Sequence, residues 1–269
     1  MSGSATKVAG AARNSTALKL LARLGYAVNG LLHVLIGAIA ISVAVGGGGA
    51  EADQSGALSE LASNPVGIAL LWVITVGLFA LGLWQIVSGF LVRDSDAKKR
   101  WGKRLSEFGK AVVYVAVGVT ALTFALGGSK SSASSSKSAS DQLLAKPGGV
   151  FVLLVVGLAI VSIGVFFVVR GVTKKFEKDL TPPSGSLGRV VVLLGVVGYI
   201  AKGIILAVVG ILFVAAAFTL DTSKASGMDG ALKSLASLPF GVTILIAVGV
   251  GLIAYGLYLG ARARYGRLD

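Results

Sequence analysis

The chain of 269 residues contains no cysteine and a single histidine, His33. Without thiols there is no disulfide, no thiolate nucleophile and no Cys-ligated metal. A lone imidazole is also a poor metal or haem site, since such sites need several ligands. No cofactor and no metal are therefore expected. Acidic residues are scarce, 12 against 25 Lys and Arg, and every one falls in a tail or a connection rather than in an apolar run. Proton- or sodium-coupled carriers usually hold a carboxylate at membrane depth, which disfavours that mechanism. Only five prolines occur, none inside an apolar run, so no proline kink is expected. Gly127-Gly128-Ser129-Lys130-Ser131 has the wrong spacing for a P-loop. There is no HExxH and no Gly-x-Ser-x-Gly with plausible triad partners. The chain is not expected to be an enzyme.

What it has is apolar surface: 55% of residues are hydrophobic and 14% charged. Six stretches carry it, about 24–45, 66–92, 108–127, 149–169, 203–220 and 240–261. Each is near the ~20 residues with which an α-helix crosses ~30 Å of hydrocarbon. The runs are continuous rather than alternating, which selects helices over a β-barrel. The expected fold is all-α: a polytopic membrane helical bundle of six transmembrane helices. The first run follows basic residues and ends in Ala44-Val45-Gly46, but it is too long for a signal-peptide core and is read as a retained helix.

The pI near 10 reflects basic residues sorted by connection. The N-terminal tail holds Lys7, Arg13, Lys19 and Arg23. Between spans two and three lie Arg93, Lys98, Lys99, Arg100, Lys103, Arg104 and Lys110. Between spans four and five lie Arg170, Lys174, Lys175, Lys178 and Arg189, and after span six Arg262, Arg264 and Arg267. The alternate connections hold only Lys130, Lys137, Lys146, Lys224 and Lys233. This is the positive-inside pattern, so both termini are expected in the cytoplasm. Nucleic acid is not an expected partner, because no recognisable module accompanies the charge. Membrane lipids are, and membrane-protein partners are compatible with the pattern.

The same two-helix unit recurs three times. Gly25-Tyr26-Ala27-Val28-Asn29-Gly30 matches Gly198-Tyr199-Ile200-Ala201-Lys202-Gly203, and Phe108-Gly109-Lys110-Ala111 is a weaker middle copy. Further along, Gly56-Ala57-Leu58 to Pro65-Val66-Gly67 matches Gly230-Ala231-Leu232 to Pro239-Phe240-Gly241, with Pro147-Gly148-Gly149 between them. The chain divides into a tail, 1–19, three hairpin repeats, 20–92, 93–172 and 173–265, and an end, 266–269. Three equal hairpins admit a pseudo-threefold arrangement. Pro65, Pro147 and Pro239 suit the first turn of each second helix. Leu58 and Leu61, Leu143 and Leu144, and Leu232 and Leu235 mark short interfacial helices ahead of them. Gly46–Gly49 and Ser131–Ser138 read as flexible links. Leu18–Arg23, Trp101–Phe108 and Leu187–Tyr199 read as interfacial approaches, with the fifth span starting near Lys202.

Small residues recur seven apart, so both members of a pair share one helix face. The pairs are Gly30 and Gly37, Ala111 and Gly118, Gly203 and Gly210, Gly82 and Gly89, Gly164 and Gly171, and Gly256 and Ala263. They are expected to be packing seams, where missing side chains let helices approach.

The candidate binding set is Asn29, Lys110 and Lys202 at one repeat position, with His33 and Tyr114 one turn on. Polar groups inside a span are costly and often functional. Taken as lying near helix N-termini, they would meet a dipole that also favours an anion. Convergence would make a site for an anion or an anionic lipid headgroup. The plainer reading, preferred here, has Lys110 and Lys202 snorkelling to the interface while Asn29 and His33 bond to neighbouring helices. Trp84, Phe166 and Tyr258, at equivalent repeat positions, are expected to fill the core. Trp72 and Trp101 fit interfacial anchoring.

Three tandem units with a Tyr-x-x-(Lys/Asn)-Gly start and a Gly-Ala-Leu-x-x-Leu-Ala-Ser-x-Pro-x-Gly turn resemble a bacterial membrane family. It is the one catalogued as domain of unknown function 1206, frequent in actinobacteria. The resemblance runs from about Leu20 to Tyr265. Asn29 departs from a basic residue at the repeated position, and the middle copy lacks the Gly-Ala-Leu start, which weakens a strictly threefold site. The resemblance implies a bacterial inner-membrane location and brings no activity. The leading reading is a non-enzymatic structural or accessory membrane subunit. The alternative is a passive pore or a binding protein for an anion or anionic headgroup.

Overall fold

The computed structural model describes residues 16–47, 51–92 and 95–267. Among them the chain forms nine α-helices and no strand. Six are long: α1 (Thr16–Ala44), α3 (Pro65–Leu91), α4 (Ala97–Ala125), α6 (Gly149–Val172), α7 (Ser186–Thr219) and α9 (Gly241–Tyr265). Three are short and each precedes the second long helix of its repeat: α2 (Gln54–Ala62), α5 (Ser132–Leu144) and α8 (Gly227–Ala236). The six long helices are long and apolar enough to cross a membrane. The protein is a multi-pass helical membrane protein built of three tandem units.

Local chemistry sets the helix ends, and it differs between repeats. Asn64 caps α3, its side chain accepting the Gly67 N–H at 2.8 Å, with Pro65 in the first turn. Pro147 and Pro239 instead lie two residues ahead of α6 and α9, outside the expected first-turn position. Each sits in a tight turn, closed by Gly149 N–H to Lys146 O at 2.9 Å and by Gly241 N–H to Leu238 O at 2.8 Å. Proline suits the second position of type I and type II turns alike, and the type II form requires a left-handed third residue. Gly148 supplies it at φ 78°, and Phe240 has to adopt it at φ 62°.

One expectation about the connections fails. Ser132–Ser138 is not a flexible link but the start of α5, because Ser131 caps it by accepting the Ser134 N–H at 3.0 Å. Serine is a poor helix former in the interior yet a strong cap. Of the Gly46–Gly49 link, Gly48 and Gly49 lie outside the described residues. The interfacial approach Leu187–Tyr199 and the span expected from near Lys202 belong to one helix, since α7 runs unbroken from Ser186 to Thr219. Its length of 34 residues corresponds to about 50 Å, well beyond the ~30 Å hydrocarbon core.

The chain divides into two compact units. The first takes α1 up to Asn29, α3, α4 and the last turns of α9. Here α3 lies on α4, with Gly82 facing Val115 and Gly118 facing Phe79. Gly25 of α1 meets Gly77 and Leu81 of α3 so closely that an added Cβ would lie 2.5 Å from Leu81 Cβ. Buried Tyr26, Val28, Leu78, Leu81 and Trp84 form its interior.

The second unit takes the rest of α1, α2, α5 to α8, and α9 up to Tyr258. Its helices meet backbone to backbone. A Cβ on Gly203 would lie 2.6 Å from Gly164 O, and one on Gly210 2.7 Å from Gly157 O. Along α1 and α9, a Cβ on Gly37 would lie 2.5 Å from Gly249 O, and one on Gly256 2.5 Å from Gly30 O. Gly157 and Gly249 were not singled out from sequence, although each precedes a chosen glycine by the same seven residues. The seams α3–α4, α6–α7 and α9–α1 all join a second helix of one repeat to a first helix of another.

The short helices of the second unit are tied together by polar contacts. Ser131 Oγ donates to Glu51 Oε1 at 2.6 Å, Ser132 N–H to Ser55 Oγ at 2.9 Å, and Ala52 N–H to Asp229 Oδ1 at 3.1 Å. Thr222 Oγ1 donates to Asp141 Oδ1 at 2.5 Å. Asp53 caps α2 by accepting the Ser55 and Gly56 N–H groups.

Candidate functional site at the Lys202 cation

Lys202 lies in the interior of α7 and His33 in the interior of α1. Lys202 Nζ is 3.2 Å from His33 Nε2, so the ammonium can donate to a neutral imidazole. From α9, the Tyr255 ring presents its centroid 4.4 Å from the same Nζ, and Phe167 of α6 lies 5.3 Å away. His33 packs edge-on against Tyr255 at 4.9 Å. A primary ammonium has three donors and no acceptor. One is directed at His33, and the aromatic faces attract the charge through their quadrupoles. Among the described residues no carboxylate is ion-paired with Lys202. Four long helices thus converge on one cation held by an imidazole and aromatic rings.

The aromatic wall continues toward the basic end of α6. Tyr199 stacks on Phe167 at 5.5 Å and on Phe176 at 5.1 Å, and meets Tyr255 and Tyr258 edge-on. The Arg170 guanidinium sits 5.6 Å from the Tyr199 ring and pairs with Asp179. The first unit repeats the motif: Arg262 lies 4.6 Å from the ring of Tyr26. Tyr26 and Tyr199 hold the same repeat position, and so do Arg262 and Arg170. The remaining copies of those two positions are Glu107 in the middle repeat and Ser88 in the first.

Of the sequence candidates, His33 and Lys202 are brought together. Asn29, Lys110 and Tyr114 belong to the other unit. Asn29 is buried on α1. Lys110 is exposed on α4 and paired with Glu107 of the same helix at 2.7 Å, and Tyr114 follows it one turn on. The expected help from helix N-termini does not exist at Asn29, Lys110 or Lys202. Their helices begin far upstream, at Thr16, Ala97 and Ser186, so the local amides are already hydrogen-bonded along the helix. Tyr255, Phe167 and Tyr199 were not picked as site residues. Tyr199 had a signal in its repeated Gly-Tyr pair; Tyr255 and Phe167 had none, having no aromatic equivalents in the other copies. Of the expected core trio, Trp84 and Tyr258 are buried but Phe166 is 56% exposed. Trp72 and Trp101 are exposed. Among the described residues no cluster of three His, Asp or Glu side chains could hold a metal.

The sequence profile of the Domain of Unknown Function (DUF1206) family matches this chain three times, at residues 24–91, 106–174 and 197–266. The chain belongs to the DUF1206 family. The three matches coincide with the three helix pairs, so the repeat is the family's unit. The chain is also similar to uncharacterized protein YxxB of Bacillus subtilis (strain 168), with 31% identity over 245 residues, 90% of this chain and 88% of that protein. No solved structure matches. In this DUF1206 chain, then, the sharpest polar feature among the described helices is the Lys202–His33 pair with its aromatic surround.

Proposed function

We propose that the protein is a non-enzymatic structural or accessory subunit of the bacterial inner membrane, with both termini in the cytoplasm. The observation that carries this reading is the internal use of Lys202. Its ammonium is spent on His33 and on ring faces from α6 and α9, so it acts as a tie between helices, in register with backbone-close glycine seams. A polar tie of this kind is how transmembrane helices fix their partners where the hydrophobic effect cannot. The location and orientation follow from the basic connections. Purification of the native protein in mild detergent, with identification of what comes with it, is the test. Stoichiometric recovery of a membrane protein supports the accessory role, and recovery of the chain alone at native expression counts against it.

The second reading, a binding protein for an anion or anionic headgroup, is favoured by one fact: no carboxylate accompanies Lys202 among the described residues. Lys202→Gln separates the two. Loss of a bound anionic species from a protein of unchanged thermal stability supports binding; loss of stability with unchanged ligand content supports the tie.

A further inference from the structure

We propose that a groove between the end of α6 and the start of α7 is a binding site for an anionic phospholipid of the leaflet facing the basic connections. The groove is open to its surroundings and offers about 520 Å³, within the range of sites that hold small molecules. One end is cationic, formed by Lys174 and Arg189; the other is an apolar wall of Val192, Leu193 and Val196. No acidic side chain lines it, and neither cation is ion-paired among the described residues. At the cationic end the chain enters α7 through Gly185, four residues before Arg189. No side chain caps that helix and no acid occupies its first turn, so its leading amides are open to an external acceptor. Lys174 is held at φ 52°, a left-handed conformation costly for a residue with a Cβ. It is in this strained turn that the chain leaves α6.

This order of chemistry matches a phospholipid read from head to tail. A phosphodiester would meet two cations and the first amides of α7, and the acyl chain would run along Val192, Leu193 and Val196 into the span. On this proposal the basic first turns of α7, a helix longer than the hydrocarbon core, lie in the headgroup layer, where that ligand lives. Free phosphate would use only the cationic end and leave the apolar wall without an occupant. The site is separate from Lys202, which none of these residues adjoins in sequence.

The test uses the full chain in nanodiscs and then in detergent, with native mass spectrometry counting retained phosphatidylglycerol and phosphatidylcholine. Wild type should retain phosphatidylglycerol preferentially. The Lys174→Gln, Arg189→Gln double variant should lose it about tenfold or more, since each cation near an anionic lipid contributes several-fold. Lys98→Gln, Lys99→Gln, which removes two exposed charges elsewhere, should retain it. Leu193→Glu should also lose the lipid, because it opposes the acyl chain and leaves both cations in place. Arg189→Gln alone, on an exposed side chain, gives the same reading should the double variant unfold. Equal retention by wild type and the Lys174/Arg189 variants overturns the proposal. So does an equal loss from the Lys98/Lys99 control. Displacement of phosphatidylglycerol by millimolar inorganic phosphate, with no effect of Leu193→Glu, assigns the cationic end to free phosphate and equally overturns it.

Discussion

A lysine inside an apolar helix is tolerated only where its charge is answered, and Lys202 is answered by an imidazole nitrogen and π-faces rather than by an acid. That choice has a consequence for mutagenesis. Lys202→Met removes the charge together with its need for partners, whereas His33→Leu leaves the ammonium short of its one nitrogen acceptor. His33→Leu should therefore destabilise more than Lys202→Met, and the double variant should lie close to Lys202→Met alone. The coupling should be about 1 kcal/mol, near the values found for polar contacts between transmembrane helices. Thermal unfolding of the four proteins in one detergent measures it, and simple additivity of the two losses would remove the tie. Asp53 makes a second residue-scale prediction. Burial pushes its pKa up from 3.8, with the Glu51 charge adding to the rise, against the lowering effect of the Ser55 hydroxyl and nearby backbone N–H groups. A carboxyl whose pKa is raised on folding binds its proton more tightly in the native state. Its contribution to stability is then greatest at low pH and declines as pH climbs from about 4 through the raised value. Asp53→Asn keeps an acceptor for the α2 amides and cannot ionise. It should flatten that decline and be at least as stable as wild type at pH 7, as read from unfolding midpoints across pH 4 to 8.

At the scale of elements, the decisive feature is how little space separates helix backbones. Gly37 and Gly210 face carbonyl oxygens so closely that even a methyl group collides. Gly37→Leu and Gly210→Leu should each lower the unfolding midpoint well beyond what Leu→Ala does at lipid-facing Leu83 or Leu257, both half exposed. Overpacking of this kind costs about 1–3 kcal/mol or more. Unchanged midpoints for both glycine variants would show that the seams do not carry packing. The turn before α9 offers the opposite sign. Phe240 occupies a left-handed position that costs about 1–2 kcal/mol relative to glycine, and its equivalent in the second repeat is Gly148. Phe240→Gly should therefore raise stability in detergent, where the exposed ring has no bilayer interface to anchor in. A lower midpoint would mean that the ring makes contacts worth more than the backbone strain.

At the scale of the whole molecule, the family match and the six long helices agree with a three-unit membrane protein, while orientation rests on charge. Cysteines placed singly at exposed Ser135 and Ser237 should react with an impermeant thiol reagent added outside intact cells. Cysteines at exposed Ser95 and Ser184 should react only after permeabilisation. The reverse pattern would invert the topology. The absence of native cysteine makes the background of this experiment blank.

What the sequence determined by itself was what depends on length and periodicity. Six runs near twenty apolar residues require six helices because lipid offers no partner for open backbone, and the Pro-x-Gly repeat, joined by Gly-Tyr in two of the copies, set the three units without any knowledge of contacts. Glycines seven apart announced the seams for the same reason, since one helix face is a local property. Tertiary structure decided the rest. Nothing local says that Lys202 meets His33 across 169 residues, or that Tyr255 and Phe167 line that pair, because a seam glycine marks a face and not a partner. Nor does sequence tell a flexible serine run from a capped helix when Ser131 can supply the cap. The expected helix starts at Asn29, Lys110 and Lys202 failed for a related reason: a mixed apolar and basic stretch such as Leu187–Tyr199 satisfies helical hydrogen bonding as well as an apolar one does. Where a span ends chemically and where its helix ends are separate questions, and only packing and capping in three dimensions answer the second.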